Sequence, residues 1–297
     1  MRIFFFKILL FLTFLLLGFT VVLIVSKVLV IRTFNFSISK EKNILILGDS
    51  HTQCALNDTI ITNALNMSES ADTYFYSFIK LKNIVANNKQ IDTLILGYMP
   101  HNLSITQDKW LVSNNINAFK LPLHFFLFDS EDLNSFLSNA PFQLVKNVPF
   151  IIKNNLGHLY RINKKEKINR FGIGGFLALS HKDTIDSNKE IVVRTKIPEL
   201  KYGSSDINNL NKIYLFCEKN KIKLLLLSTP LKQNSNEKQS IFYNKYIEFK
   251  KENLPNATLL DYSKIQFHKK YFADGAHLNA DGAKLFSELF VKQLLKQ

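Results

Sequence analysis

Cysteine is scarce in this chain of 297 residues: there are two, Cys54 and Cys217. Neither falls in a C-x-x-C pair or a Cys/His ligand spacing, so no thiol-based metal or redox motif is present. Both sit in segments of helical pattern and read as small core residues. So low a count neither requires nor excludes an oxidising compartment. Histidines His124, His158, His181 and His268 form no ligand spacing with carboxylates, so no metal is expected, and nothing calls for a cofactor. Glycine is sparse too. Phe171-Gly172-Ile173-Gly174-Gly175-Phe176 follows no strand and lacks the G-x-G-x-x-G spacing of a phosphate cradle. No basic motif interleaved with aromatics points to nucleic acid. No internal repeat is visible.

Positive charge is abundant, with a formal net charge of +14. That fits attraction to anionic glycans, lipid head groups or nucleic acid. It equally fits a chain rich in scattered lysine, and the run Lys164-Lys165-Glu166-Lys167 reads as a solvated face. The one long apolar run lies at the amino terminus. No charge occurs from Ile8 to Val25, and past Ser26 and Lys27 the apolar stretch continues to Ile31. About 20 residues suffice to cross a bilayer. Ser26-Lys27-Val28 is a poor cleavage site, so residues 1–32 read as an uncleaved signal anchor. Arg2 and Lys7 before the run nearly balance Lys27 and Arg32 after it, and these flanks alone do not set orientation. With the amino terminus inside, the remainder lies in the periplasm or outside the cell.

Residues 33–42 read as a short polar tether to one extramembrane domain, 33–297. Its candidate strands are 43–47, 73–76, 92–96, 223–227 and 257–260, with helical patterns after 51 and over 81–88, 206–220, 241–252 and 281–295. Strands alternating with helices predict a parallel sheet covered on both faces, a three-layer α/β/α fold of about five strands. Between about 104 and 205 the rhythm fails. The stretch 119–151 is aromatic and interrupted by Pro122, Pro141 and Pro149. It reads as a largely helical insertion, either a cap over the site or a membrane-facing surface.

Two short segments carry chemistry. Gly48-Asp49-Ser50-His51 follows a buried strand and opens a helix. Such a turn exposes its residue at the carboxyl edge of a parallel sheet, where ligands bind. Read alone, it is equally an ordinary helix cap. Asp274-Gly275-Ala276-His277-Leu278 precedes the last helix. A serine hydroxyl needs a base, and a histidine serves when a carboxylate fixes its tautomer. Ser50, His277 and Asp274 are therefore candidate nucleophile, base and orienting acid.

These two segments resemble the first and last blocks of the SGNH (GDSL-type) hydrolase superfamily, and the GDSH variant with D-x-x-H-L is similar to the SGNH domains of cell-envelope O-acyltransferases. The resemblance implies a flavodoxin-like sheet, the same three catalytic residues, and further donors to an oxyanion from a glycine backbone and an asparagine side chain. The middle blocks depart from the family. Asn102 is the candidate amide donor, with His101 as runner-up; Ser68 or Ser70 stands where the second-block glycine belongs. His51 either touches substrate or caps the helix, Asp49 and Gly97 border the site, and Ser228 shapes the pocket or is a plain strand exit. The expected function is ester hydrolysis or acyl transfer, with acetyl the expected group, on an envelope carbohydrate. A lipid esterase or phospholipase at the membrane surface and a non-catalytic binding or assembly protein are the alternatives. Partners expected are an acylated glycan or other ester, the membrane, and envelope biosynthesis proteins.

Overall fold

The computed structural model describes residues 1–166, 168–180, 202–232 and 241–294. His181 and the rest of 181–201, within the expected insertion, lie outside the described residues. Among the described residues seven strands run in the order β1 (Ile44–Leu47), β2 (Ala64–Asn66), β3 (Thr93–Gly97), β4 (Lys223–Ser228), β5 (Leu231–Lys232), β6 (Thr258–Asp261) and β7 (Gln266–Phe267). Five of them form one sheet in the order β2-β1-β3-β4-β6, every neighbour parallel. β5 and β7 pair separately. Near-continuous Ile and Leu is what a parallel strand buried on both faces requires. Ile44-Leu45-Ile46-Leu47 is buried throughout. Leaving β1, the chain steps first to one side, to β2, and then back across to β3. The reversal opens a crevice outside the carboxyl ends of β1 and β3.

Alternation along the strands divides the core. Ile44, Ile46, Ile95, Leu225 and Leu227 face one layer, where α2 (Ser50–Ala55) supplies Ala55 and α10 (Ala280–Leu294) supplies Phe286 and Phe290. Leu45, Leu47, Leu94, Leu96 and Leu226, all fully buried, point the other way. That layer holds α3 (Tyr74–Asn87) and α8 (Ser204–Asn220), which pack on each other. The remaining helices along this stretch are α4 (Ile105–Val112) and α9 (Ile241–Asn253).

One strand differs from expectation. Residues 73–76 are not a strand: Thr73 precedes α3, and Tyr74, Phe75 and Tyr76 form its buried first turn. Large aromatics suit a buried helix face as well as a sheet. The strand at that position is Ala64-Leu65-Asn66, only three residues long, too short for alternation to reveal.

The chain forms two compact units: Ser37–Trp110 with Gly174–Gln297, and Met1–Phe36 with Leu111–Ile173. The second is helical, built from α1 (Arg2–Thr33), α5 (Asn114–His124), α6 (Ser130–Asn139) and α7 (Pro141–Asn163). α1 is long and apolar enough to cross a membrane. Its buried positions are Ser26 and Val30. The expected polar tether begins differently: Phe34 and Phe36 are buried. Their spacing of two puts both rings on one side of an extended chain, where Phe34 meets Phe36, Phe126 and Phe171. Pro141 starts α7, whereas Pro122 and Pro149 lie inside α5 and α7.

Candidate active site

The turn after β1 is built by two glycines. Gly48 adopts φ +150, and a Cβ there would stand 2.6 Å from the Thr52 hydroxyl. On the neighbouring strand, a Cβ at Gly97 would stand 2.3 Å from the same oxygen. Their absence lets α2 sit directly on the ends of β1 and β3. Asp49 is the helix cap, its carboxylate accepting from the His51 backbone N–H at 2.9 Å. Ser50 is thus the first helical residue, and its hydroxyl is not spent on capping. Its own N–H is one that no helical carbonyl reaches.

Asp274 and His277 come from a tight loop. Phe272 and Leu278 form an antiparallel bridge, and Ala273 N–H donates to the His277 carbonyl at 2.8 Å. Inside the loop, one Asp274 oxygen accepts from the Ala276 and His277 backbone N–H groups, each at 2.8 Å. The other oxygen lies 2.8 Å from His277 Nδ1. His277 Nε2 lies 2.8 Å from Ser50 Oγ. With Nδ1 protonated towards the carboxylate, Nε2 is the acceptor facing the hydroxyl. Burial works against charge on Asp274, but the His277 ring and the two backbone donors outweigh it and hold the carboxyl below its usual range. The two residues are half exposed, with side-chain exposures of 26% for His277 and 51% for Asp274.

Behind Ser50 lies a second set of polar contacts. Asp49 is buried. One of its oxygens accepts from Asn102 Nδ2 at 2.8 Å and meets His101 Nε2 at 2.7 Å. Burial opposes ionisation of Asp49, yet His101 above all, with His51 and Asn102, holds its carboxyl far below the usual range. The His51 ring stands between two others, 4.8 Å from His101 and 5.0 Å from His277 between centroids. Burial pushes His51 down to about 4, Asp49 opposing and the two neighbouring imidazoles assisting. It is therefore neutral near pH 7. Its Nδ1 is buried without a hydrogen-bond partner among the described residues.

The other expected residues fall into place unevenly. Ser50, His277 and Asp274 come together. Asn102 and His101 converge on Asp49, and the Asn102 Oδ1 accepts from Met99 N–H at 2.9 Å. One amide N–H of Asn102 is therefore committed to Asp49 and one more is carried by the group. Ser68 is corrected as a backbone donor: its N–H is bonded to Asn66 Oδ1 at 2.9 Å. Ser70 instead donates its hydroxyl to Gln53 Oε1 at 2.8 Å. Gly97 is buried under Thr52, and its carbonyl accepts from the Tyr74 hydroxyl, so it serves packing. Ser228 does not shape an open pocket: it is fully buried, donating to the Tyr98 carbonyl at 2.6 Å. The carboxylates Asp72 and Glu69 are met by a cation of the protein itself, the buried Lys80, whose Nζ stands 2.5 Å from Asp72 and 4.0 Å from Glu69.

Sequence reasoning missed the wall beside α2. Gly175 N–H donates to the Ser68 carbonyl, Leu177 N–H to the Gln53 carbonyl, and Ala280 N–H to the Leu179 carbonyl. The Gln53 amide reaches the Gly175 carbonyl at 3.0 Å. Residues 174–179 thus run past the helix that carries Ser50 to the start of α10. The signal was present in Gly174 and in Gln53, one turn beyond Ser50. A Cβ at Gly174 would stand 2.2 Å from the Met67 carbonyl oxygen.

Among known proteins, no curated protein and no solved structure matches the chain. The model of an uncharacterised protein family matches residues 183–297, a segment that takes in Asp274 and His277 but not Ser50.

Proposed function

We propose that this chain is a membrane-anchored serine esterase or O-acyltransferase of SGNH type. In this reading it removes or moves an acyl group, acetyl by preference, on a cell-envelope carbohydrate. The observation that carries the proposal is the unbroken chain from Ser50 Oγ to His277 Nε2 and from His277 Nδ1 to Asp274, each step 2.8 Å, beside the crevice where a parallel sheet binds ligands. The motif resemblance of the two segments supports it. So does α1, which as an uncleaved anchor would hold the domain on the outer side of the membrane.

Ser50 Oγ attacks the ester carbonyl while His277 Nε2 takes the hydroxyl proton. Asp274 stabilises the imidazolium and keeps its orientation. The Ser50 N–H and the second N–H of Asn102 are the donors assigned to the oxyanion in this reading. Collapse of the intermediate expels the alcohol, which leaves with the proton from His277, and an acyl-serine remains. Water or a sugar hydroxyl then gives its proton to His277 and attacks the acyl carbon; the acid or new ester departs and Ser50 Oγ takes that proton back from His277.

A fluorophosphonate probe tests this. Labelling of the wild-type chain, lost in Ser50→Ala and His277→Ala while circular dichroism is unchanged, is the expected result. A folded chain that the probe never labels would overturn it and leave a binding or assembly protein. Turnover of long-chain but not acetyl esters would move the substrate class to lipids.

A further inference from the structure

We propose that α7 is a second membrane-contacting element, lying with its outer face in the interface of an anionic bilayer beside α1. The inference does not depend on the catalytic reading. It starts from the faces of α7. Asn147, Ile151, Asn155 and His158 recur at helical spacing and are buried within the helical unit. Away from that stripe Phe142 is 85% exposed, Val145 70% and Phe150 53%, with the exposed Lys146 and Lys153 among them. Large apolar side chains left open together on one helix mark an interaction surface.

Two observations name its occupant. First, α7 is fastened to the helix that would enter the membrane. Asn155 Nδ2 donates to Ser26 Oγ at 3.0 Å. One turn further on, His158 packs against Phe126 and Phe171, the rings that also hold Phe34 at the end of α1. Every residue of α1 before Leu23 is exposed. A span of about 20 residues ending near Ser26 places the hydrocarbon boundary level with Asn155. Second, α7 contains no aspartate or glutamate, whereas Lys146, Lys153 and Arg161 are present. Exposed lysines beside exposed aromatics are what an interfacial helix on anionic lipid presents.

The chain has a single tryptophan, Trp110, which makes a clean test. In a Trp110→Phe background, Phe142→Trp and Val145→Trp are introduced separately into the full chain. Leu215→Trp, at an exposed position of α8 in the other unit, is the control. In vesicles of phosphatidylglycerol and phosphatidylethanolamine, emission from the first two should shift to the blue. Brominated phospholipid should quench them severalfold more than the control. Quenching no greater than in Leu215→Trp, with full access to iodide, overturns the proposal. Shielding from both quenchers overturns it as well, because another protein then covers the face. No arm reads activity, so failure here is distinct from failure of the esterase assignment.

Discussion

Two aspartate–histidine pairs stand near the carboxyl end of the sheet with almost the same geometry, 2.8 Å for Asp274 with His277 and 2.7 Å for Asp49 with His101. They differ in burial. Asp274 is half exposed and its pair is screened by solvent, so it adds little to stability. What it does is orient: the far nitrogen of His277 is left facing Ser50. Asp49 is buried and satisfied by His101, Asn102 and the His51 N–H. It ties the loop after β3 to the start of α2, and removing one partner would strand the others. In the proposed reading one chemical pair serves a reaction, and the other holds the ground on which that reaction would stand.

Substitutions can break or sharpen this division. The largest effect is expected at the hydroxyl: Ser50→Ala should lower ester turnover by on the order of 10⁴ or more, and adding His277→Ala should cost little further, because the residues act as a unit. Asp274→Asn should lower kcat/KM by about 10²–10⁴ through loss of the correct tautomer, while the urea midpoint hardly moves. Asp49→Asn should do the reverse in emphasis and cost about 3 kcal/mol of stability in urea denaturation. If Asp274→Asn proved the more destabilising of the two, the division would fail.

pH offers finer tests. The folded state holds the Asp49 carboxyl below its usual range, so its contribution to stability is complete above about pH 4 and is lost as pH falls further. In Asp49→Asn the acid limb of stability should be shallower. Asp206 has the opposite sign. Burial above all pushes it up to about 7, against the Tyr74 and Phe75 N–H groups it accepts. The folded state then binds the proton more tightly than the unfolded one, and stability falls as pH rises from about 4 to 7. Asp206→Asn should flatten that limb.

Legibility was uneven for physical reasons. β1, β3, β4 and β6 were readable because each is an apolar run closed by a turn residue. β2 was not, because its three residues take their structure from pairing with β1 and hardly from their own pattern. The first helix of the site could be placed, but its cap was ambiguous. Asp49 and Ser50 are both good caps, and only the bond from the His51 N–H to Asp49 assigns the role. Asn102 was singled out as an amide donor to the oxyanion; the partner the structure gives it, Asp49, belongs to another strand end. The run 174–179 gave no periodic signal, because its hydrogen bonds go to Ser68, Gln53 and Ala280 and not to neighbours in sequence.

By itself the sequence determined what is local. It set the apolar run of α1, the two-faced burial of the strands, the glycine that ends β1, and the Asp-x-x-His spacing that lets a carboxylate reach an imidazole within one loop. Tertiary structure alone decided which hydroxyl that imidazole meets. Ser50 and His277 are 227 positions apart, and nothing within either segment specifies the other. They meet because parallel pairing stacks β1, β3, β4 and β6 in one register, and because Phe286 and Phe290 seat α10 against α2.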